Sequence, residues 1–434
     1  MQMKNKVKSE KGIMTMYVTI AVVTFTIILV ALFSLAVATR KNQIKTLIKI
    51  KEVYEQDNSK KEQIYLAKKE QIERQLPSTD DTNPYYPDDT FEKDDDTDLD
   101  DGLVIRDEDG NEYVWIEVPK SLYANSSYNT KTTTGDQKPS NSEDYDKIEY
   151  CLHKYTDYYR RDSDGILTSY TDTYYSDATT GLTSAQYTEL KQKMLKSVYE
   201  NGGFWIGRYE AGTTTNRTAK GDATIAPLSK QGTVDSPVYP YTYITCSQSQ
   251  TLASKLSTGK SYTSSLMFGV QWDLVMKHIE VKEVAKGTTL ATIQSALRTD
   301  SKDWGNYYNA SFEINRGKYA DDKDYTLSTT WTPYNQTTSN NFVNSNSVKQ
   351  VQSSGNGIVL TTGASDACKK MNIYDLAGNV WEWTLEDSAG INIPCAFRGG
   401  NYVCSGYSAP ASYRNCDYTT CSSGGVGFRL SLFK

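Results

Sequence analysis

Side chains suited to redox or metal chemistry are few in this chain of 434 residues. It contains seven cysteines but only two histidines, His153 and His278. The cysteines are Cys151, Cys246, Cys368, Cys395, Cys404, Cys416 and Cys421. No CxxC pair occurs among them, so the spacing indicates no zinc framework. In an exported chain, an odd number of thiols predicts that at least one is free or pairs with another chain.

Other common catalytic signatures are also missing. The sequence has no HExxH, no GxSxG elbow and no Walker loop, which leaves hydrolase and nucleotide-binding functions without support. Its 47 basic and 53 acidic residues give a net charge of -6 and no broad basic face. We therefore expect no nucleic-acid partner.

One segment has the composition of a recognition surface. Residues 401–426 are rich in Tyr, Ser, Asn and Gly and contain no Lys, Glu, Gln, Met or Trp. Tyrosine supplies a large amphipathic contact area at low rotamer cost, while Ser and Asn adapt their hydrogen bonds. The composition predicts a binding surface. The alternative is that this composition arose by chance, since the chain has 33 tyrosines overall.

The elements that must position this segment follow from the pattern after residue 103. Short apolar alternations and frequent turn residues predict strands at 112–118 and 203–209. Helices are predicted at 251–256, 271–284, 289–297 and 364–371. Scattered strands, few helices and long loops together predict an irregular α+β domain.

Three motifs close the chain in a fixed order. They are YDLAGNVWEW at 374–383, RGG at 398–400 and GFR at 427–429. This set resembles the closing signature of the formylglycine-generating enzyme, or sulfatase-modifying factor, family. Segments 203–212, 270–276 and 314–319 are similar to internal motifs of its bacterial members. The resemblance covers most of residues 103–434 and implies the C-type-lectin-like arrangement of that family.

Most of these motif residues are interpreted as scaffold. Glycine and asparagine suit turns of positive φ, the tryptophans bury large rings, and an arginine fork can bind several acceptors. The residues assigned to this structural role are Trp381, Trp383, Arg398, Gly399, Gly400, Gly427, Phe428 and Arg429. In family members the equivalents of Asn379 and Glu382 help to bind calcium, so the resemblance allows a structural calcium ion there. A turn satisfied without metal is the alternative, and no cofactor is expected to be required.

The resemblance also permits a test for catalysis. Oxidising members use two cysteines, five positions apart just after the RGG motif, to bind copper. Cys404 matches the first, but the second position holds Ala409. An iron-dependent branch needs a histidine cluster, which two histidines cannot form. We therefore expect a protein that is not an enzyme, with a cysteine-oxidising formylglycine-generating enzyme as the alternative.

Some proteins of this fold are variable proteins of diversity-generating retroelements, which mutate adenines in codons at the same C-terminal place. Substituting both adenines of an AAY codon reaches Asn, Tyr, Cys, Ser, Asp, Gly, Val and Ala, but never Lys, Glu, Gln, Met or Trp. Residues 401–426 obey this restriction. By similarity, the exposed contact positions are Tyr402, Val403, Cys404, Tyr407, Ala409, Tyr413, Asn415, Cys416, Asp417, Tyr418 and Cys421. Pro410 and Arg414 are interpreted as framework.

The N-terminal region predicts a membrane anchor. Residues 16–38 are apolar, uncharged and long enough to cross a bilayer as a helix. A Lys-rich leader at 1–15, expected to be cytoplasmic, precedes this span, and a helical stalk is predicted at 39–75. The leader and Gly12 resemble a type IV prepilin, although Tyr17 stands where that family has Glu. A plain anchor and a processed pilin-like subunit are the two interpretations.

An acidic stretch separates the stalk from the domain. Residues 76–102 hold ten Asp and one Glu against a single Lys, with three prolines. Such a composition favours a solvated, disordered linker, which would place the domain at 103–434.

Together these features predict a single-pass protein of the cell membrane with a large extracellular domain. It would bind an external protein or cell-surface ligand through residues 401–426. The alternatives are the cysteine-oxidising enzyme and a pilus or pseudopilus tip subunit acting as an adhesin.

Overall fold

A computed structural model describes residues 2–54, 75–133, 135–162, 164–337 and 339–434. The chain divides into two compact units, Met1–Gln75 and Leu76–Lys434. In the first unit, helix α1 spans Gln2–Tyr54 without interruption.

Helix α1 has an apolar surface suited to a lipid environment. Its part Met14–Lys49 is long and apolar enough to cross a membrane, and it contains the predicted span 16–38. Threonine hydroxyls within it donate to carbonyls one turn earlier, for example Thr24 to Ile20 and Thr26 to Val22, both at 2.8 Å. These polar groups therefore need no partner outside the helix. The predicted stalk is helical as far as Tyr54, and its remainder to residue 74 lies outside the described residues.

The second unit is an irregular α+β domain, as predicted. Its helices α2–α8 are Ser126–Asn129, Tyr145–Tyr155, Asp177–Thr180, Ser184–Asn201, Cys246–Lys255, Gly269–Ala285 and Leu290–Arg298. Short 3-10 helices occur at Lys120–Ala124, Asp157–Arg160, Lys302–Trp304 and Asp366–Cys368.

The strands are numerous and short. Strands β1–β11 are Glu92–Lys93, Val104–Arg106, Glu112–Glu117, Thr130–Lys131, Gly135–Asp136, Gly203–Gly207, Gly212–Thr213, Tyr239–Pro240, Thr263–Leu266, Phe312–Glu313 and Lys318–Lys323. Strands β12–β22 are Thr326–Leu327, Thr332–Pro333, Val348–Lys349, Gly357–Leu360, Lys369–Lys370, Ile373–Tyr374, Trp381–Asp387, Cys395–Arg398, Arg414–Asp417, Val426–Phe428 and Leu430–Phe433.

Two sheets organise the domain. A six-stranded antiparallel sheet has the order β1-β2-β3-β6-β22-β9, so the last strand of the chain lies between β6 and β9. Trp115 of β3 faces Trp205 of β6 in register, with ring centroids 5.0 Å apart. The four-stranded sheet that carries the closing motifs has the order β20-β19-β18-β21.

Local signals explain the long helices. Helix α5 begins with a capping box, in which the Gln186 amide donates to the Thr183 hydroxyl and the Thr183 amide donates to the Gln186 side chain. It ends at Gly202, which adopts a left-handed conformation with φ 68°. At the start of α7, the carboxylate of Asp172 accepts the amides of Gly269 (2.6 Å) and Val270 (2.9 Å).

The structure contradicts the prediction of a disordered acidic linker. Residues 76–102 belong to the second unit, and Phe91 is buried in its core. The Thr82 hydroxyl accepts a hydrogen bond from Trp115 Nε1 and donates to the Gly202 carbonyl, both at 2.8 Å. Acidic side chains also accept hydrogen bonds within the segment: the Asp98 carboxylate accepts from the backbone amides of residues 100 and 101. The segment has many acidic residues, but a few buried side chains such as Phe91 and Thr82 are enough to order it.

Most predicted elements are present. The predicted strands correspond to β3 and β6, and three of the predicted helices correspond to α6, α7 and α8. The helix predicted at 364–371 is wrong. That segment forms the 3-10 helix Asp366–Cys368 and strand β16, and it ends at Met371 with a positive φ of 48°.

Candidate ligand-binding face

The predicted recognition segment lies on the four-stranded sheet of the closing motifs. Strand β20 is an edge strand, paired in register with β19 from Cys395 opposite Asp417 to Arg398 opposite Arg414. Strand β21 forms the other edge, parallel to β18. The segment therefore consists of one edge strand with a loop on either side of it.

A square of buried charges holds this segment to the domain. Arg398 donates to Asp273 (2.8 Å) and Glu386 (3.2 Å), and Arg414 donates to the other oxygen of each acid. Burial alone raises the pKa of Glu386, but the two guanidinium groups hold that pKa below its usual range. Arg414 also donates to the Tyr159 carbonyl at 2.7 Å. Each charge is thus matched, and Arg414 is buried framework as predicted.

A second arginine fixes the end of the signature. The Arg429 guanidinium binds both oxygens of Glu382, at 3.0 and 3.1 Å through Nε, and donates to the carbonyls of Gly207 (2.9 Å) and Tyr374 (2.8 Å). Both side chains are fully buried. The predicted scaffold residues of the motifs are buried in the same way: Trp381, Trp383, Arg398, Gly399, Gly400, Gly427, Phe428 and Arg429.

These contacts do not fit the calcium site considered for Asn379 and Glu382. The Glu382 carboxylate faces a guanidinium, whose charge would repel a cation. The Asn379 amide oxygen already accepts from Asn306 Nδ2 and the Leu360 amide, both at 2.9 Å. The Asn379 amide nitrogen donates to Glu210. Protein groups therefore already bind the side chains of both Asn379 and Glu382.

The predicted contact positions differ in exposure. Exposed positions are Tyr407, Tyr413, Asn415 and Tyr418. Half-buried positions are Val403, Cys404, Cys416, Asp417 and Cys421. The structure brings these nine residues to the edge strand and its two loops.

Two of the predicted contact positions are wrong. Tyr402 is 2 % exposed, because its ring packs with Val359 and Val380 and its hydroxyl donates to Asp322 at 2.9 Å. Ala409 is 3 % exposed, since its carbonyl lies directly over Gly400. A Cβ on Gly400 would stand 2.3 Å from that carbonyl oxygen, so this glycine permits the close approach.

Residues that sequence reasoning missed border the same face. Arg161 and Tyr170 in the segment after α3, and Arg298 at the end of α8, line a cavity together with Tyr407 and Tyr413. No local pattern marks them, because they reach the face only through the tertiary fold. Their proximity to a recognition segment is visible only in the structure.

A match to a family model covers more than half of the chain. Residues 178–432 match the sulfatase-modifying factor enzyme 1-like domain. The chain belongs to this family. Residues 76–177, which include strands β1–β3 and helix α3, precede the matched region although they are part of the same compact unit.

Several solved structures are similar to the chain at low identity. They are CarF (14 % identity), PvdO from Pseudomonas aeruginosa (12 %) and Treponema denticola variable protein 1 (14 %). Each similarity covers 54 % of this chain and 87, 82 and 85 % of those chains respectively, with a TM-score of 0.28. No curated protein matches the chain. These similarities are too remote to assign a function.

Few side chains in this domain could form the two-cysteine copper site of the oxidising family members. At the first cysteine position, burial raises the pKa of the Cys404 thiol and so disfavours the thiolate. The second position holds the buried Ala409, which offers no ligand atom. All seven cysteines are free thiols.

The two histidines are also poor candidates for catalysis. Burial lowers the pKa of both His153 and His278 to about 3, so each is neutral at physiological pH. His278 Nδ1 accepts the Glu117 amide at 3.1 Å. His153 lies with Glu149 and Asp172 in a group whose ligand atoms are within 4.8 Å of one another. The Lys191 ammonium donates to both Glu149 oxygens, at 2.9 and 3.1 Å, and thereby occupies this group as an ion pair.

Proposed function

We propose that this protein is a non-catalytic surface receptor, anchored by α1, that binds an external protein or cell-surface ligand through residues 401–426. The observation that carries the proposal is the placement of Tyr407, Tyr413, Asn415 and Tyr418. All four are exposed on loops and an edge strand that the buried charge square holds in place. A rigid frame with exposed tyrosines favours recognition, because little conformational entropy is lost on binding.

The lack of a second metal ligand supports a binding role over an oxidase. A linear two-sulfur copper site needs two adjacent thiolates, and Ala409 replaces one of them. Membership of the family nevertheless makes the cysteine-oxidising enzyme the second candidate. Copper-dependent conversion of a cysteine-bearing peptide by the purified full chain, lost in Cys404→Ser, would establish that activity and overturn the non-catalytic proposal.

The receptor would be diversified by a retroelement. The support is the amino-acid alphabet of 401–426, which adenine substitution in AAY codons can produce. Sequencing the encoding locus tests this directly. We expect a near-copy of the coding segment that differs only at adenines, beside a reverse transcriptase gene. A complete genome without such a repeat would leave a receptor of fixed specificity.

Binding itself is tested with cells that display the full chain. We expect Tyr407→Ala, Tyr413→Ala and Tyr418→Ala together to abolish adhesion to ligand-bearing cells, because truncating exposed tyrosines at an interface removes its main anchors. The control is the pair Val284→Ala and Leu290→Ala, which changes exposed residues elsewhere on the domain. Unchanged adhesion in the tyrosine variant would refute the proposed face.

Pilus association is compatible with this role. Gly12 and the Lys-rich leader would then be processed by a prepilin peptidase, and α1 would assemble with other subunits. An N-terminus beginning at residue 13 in the mature protein would support this version, whereas an intact leader would support the plain anchor.

A further inference from the structure

A cavity of about 440 Å³ opens beside the recognition segment. One wall consists of Tyr407 and Tyr413 from the segment itself. Another part of the lining consists of Arg161 and Tyr170, which precede the region matched to the family, and of Arg298 at the end of α8. The candidate face therefore continues beyond the residues that a retroelement would change.

Hydrogen bonds fix the recognition segment relative to the end of α8. The Ser412 amide donates to the Leu297 carbonyl at 3.0 Å, and the Ser301 amide donates to the Gly406 carbonyl at 3.1 Å. The Ala411 amide donates to the Ser301 hydroxyl at 2.9 Å. The end of α8 is thus tied to the loop before β20, and the cavity is a built feature of the fold.

Most charges that line this cavity are matched by a protein group. Arg414 belongs to the charge square, and Arg161 binds the Asp157 carboxylate through Nε at 2.8 Å. The Asp162 carboxylate accepts the amides of Asp164 (3.0 Å) and Ile166 (2.8 Å) within its own turn.

Arg298 differs from these residues because no protein carboxylate among the described residues pairs with it. Within the part of the chain that the structure describes, no carboxylate oxygen lies within 4.0 Å of its guanidinium, and its Nε has no hydrogen-bond partner. Its guanidinium stacks on the Tyr158 ring at 4.3 Å and donates to the Asp162 carbonyl. Stacking fixes the plane of the group, and its positive charge is not paired with a protein carboxylate. The Nε atom is buried, so a ligand would be bound through the terminal nitrogens. Such an arrangement suits a carboxylate, which a guanidinium can bind with two parallel hydrogen bonds.

We propose that Arg298 and the tyrosines of this cavity form a site for a carboxylate group of the bound ligand. The inference rests on the proposed binding function and specifies its chemistry. Arg298 supplies the charge, and Tyr170, Tyr407 and Tyr413 surround the apolar part that carries the acid. Because Arg298 and Tyr170 lie outside 401–426, the acid requirement stays constant while the neighbouring contacts vary.

The test compares phenylacetate with phenylacetamide, a neutral ligand of nearly the same shape, by titration of the full chain in lipid nanodiscs. We expect the acid to bind about tenfold more tightly than the amide, as one charged hydrogen-bonded contact provides. Arg298→Gln removes this preference. Arg106→Gln, which changes a half-exposed arginine paired with Glu112, leaves it intact.

Arg298→Lys separates recognition from a structural role at the helix end. It keeps the positive charge but loses the planar fork, so a reduced preference of about two- to threefold is expected. Equal binding of acid and amide to the wild type, or a full preference in Arg298→Gln, would overturn the carboxylate site. Displacement of phenylacetate by N-acetylaspartate methylamide indicates an acidic protein side chain, and displacement by glucuronate indicates an acidic sugar. Displacement by neither contradicts the proposal.

The outcomes also separate this inference from the receptor proposal. If the acid preference depends on Arg298 but adhesion survives in the triple tyrosine variant, the receptor proposal fails and the carboxylate site remains. If adhesion is lost in that variant while acid and amide bind equally, the receptor proposal remains and the carboxylate site fails.

Discussion

Two buried arginines hold the recognition segment to the domain together with two buried acids. Arg398 and Arg414 alternate with Asp273 and Glu386 in an environment from which water is excluded. A buried ion of this kind is tolerated only when its partners are complete, because an unpaired buried charge is costly. The stability of the site thus depends on the completeness of the set rather than on any one contact.

We expect Arg398→Met to lower the free energy of unfolding by about 3–5 kcal/mol, since it leaves two acids with one cation. Arg106→Met, at a half-exposed pair, should change it by less than about 1 kcal/mol. Urea denaturation of the full chain measures both. Equal effects of the two substitutions would show that the square is not a stabilising unit.

Buried acids predict a dependence of stability on pH. Burial raises the pKa of Asp375 to about 7, and its carboxylate accepts the Gly363 amide at 2.7 Å. In the unfolded chain an aspartate has a pKa of about 3.9. Between these values the folded state binds more protons, so the contribution of Asp375 to stability is complete below pH 4 and is lost as the pH rises through 7.

Asp375→Asn should therefore weaken the fall in melting temperature between pH 5 and pH 8. Asparagine can accept the same amide and tolerates the positive φ of 57° at this position. Asp95→Asn, on an exposed side chain, is the matched control and should leave the profile unchanged. An identical profile for wild type and Asp375→Asn would contradict the raised pKa.

At the level of elements, the segment 76–102 behaves as an integral part of the domain. Strand β1 extends the six-stranded sheet, and Phe91 packs against Tyr113 and Tyr262 with ring centroids 5.8 and 5.7 Å away. We expect Phe91→Ala to destabilise the domain by about 3–5 kcal/mol. Asp96→Ala, on the exposed acidic surface, should change stability by less than about 0.5 kcal/mol in the same denaturation experiment. A small effect of Phe91→Ala would restore the linker interpretation.

The elements also show what the sequence could predict. Helix α7 and strands β3 and β6 lie where their apolar segments predicted them, and the ordered motifs around Arg398 and Arg429 located the scaffold correctly. The prediction of a disordered acidic segment was wrong because the overall composition of 76–102 does not reveal the few residues that become buried, such as Phe91. Tyr402 was wrongly predicted to be exposed, because its polar sequence neighbours do not indicate that its ring packs into a hydrophobic cluster. Arg298 could not be found, since its role depends on contacts between distant parts of the chain.

For the whole molecule, the proposed membrane anchoring rests on α1, whose part Met14–Lys49 is long and apolar enough to cross a membrane. A charged residue at the centre of a membrane span costs about 2.5–3.5 kcal/mol. We expect Ile27→Lys with Val30→Lys to release the protein from carbonate-washed membranes, whereas Met14→Lys, at the end of the apolar part, should not. If the wild-type chain is not in the membrane fraction and lacks its first residues by mass spectrometry, α1 is a removed signal sequence.

The central place of β22 has a consequence for synthesis. Leu430–Phe433 lie between β6 and β9, so the six-stranded sheet stays divided until these residues have been translated. A product that terminates within 401–426 lacks both this strand and Arg429, and it would expose the edges of two half-sheets to proteases. Completion of the six-stranded sheet therefore requires residues 430–433, whatever residues occupy positions 401–426.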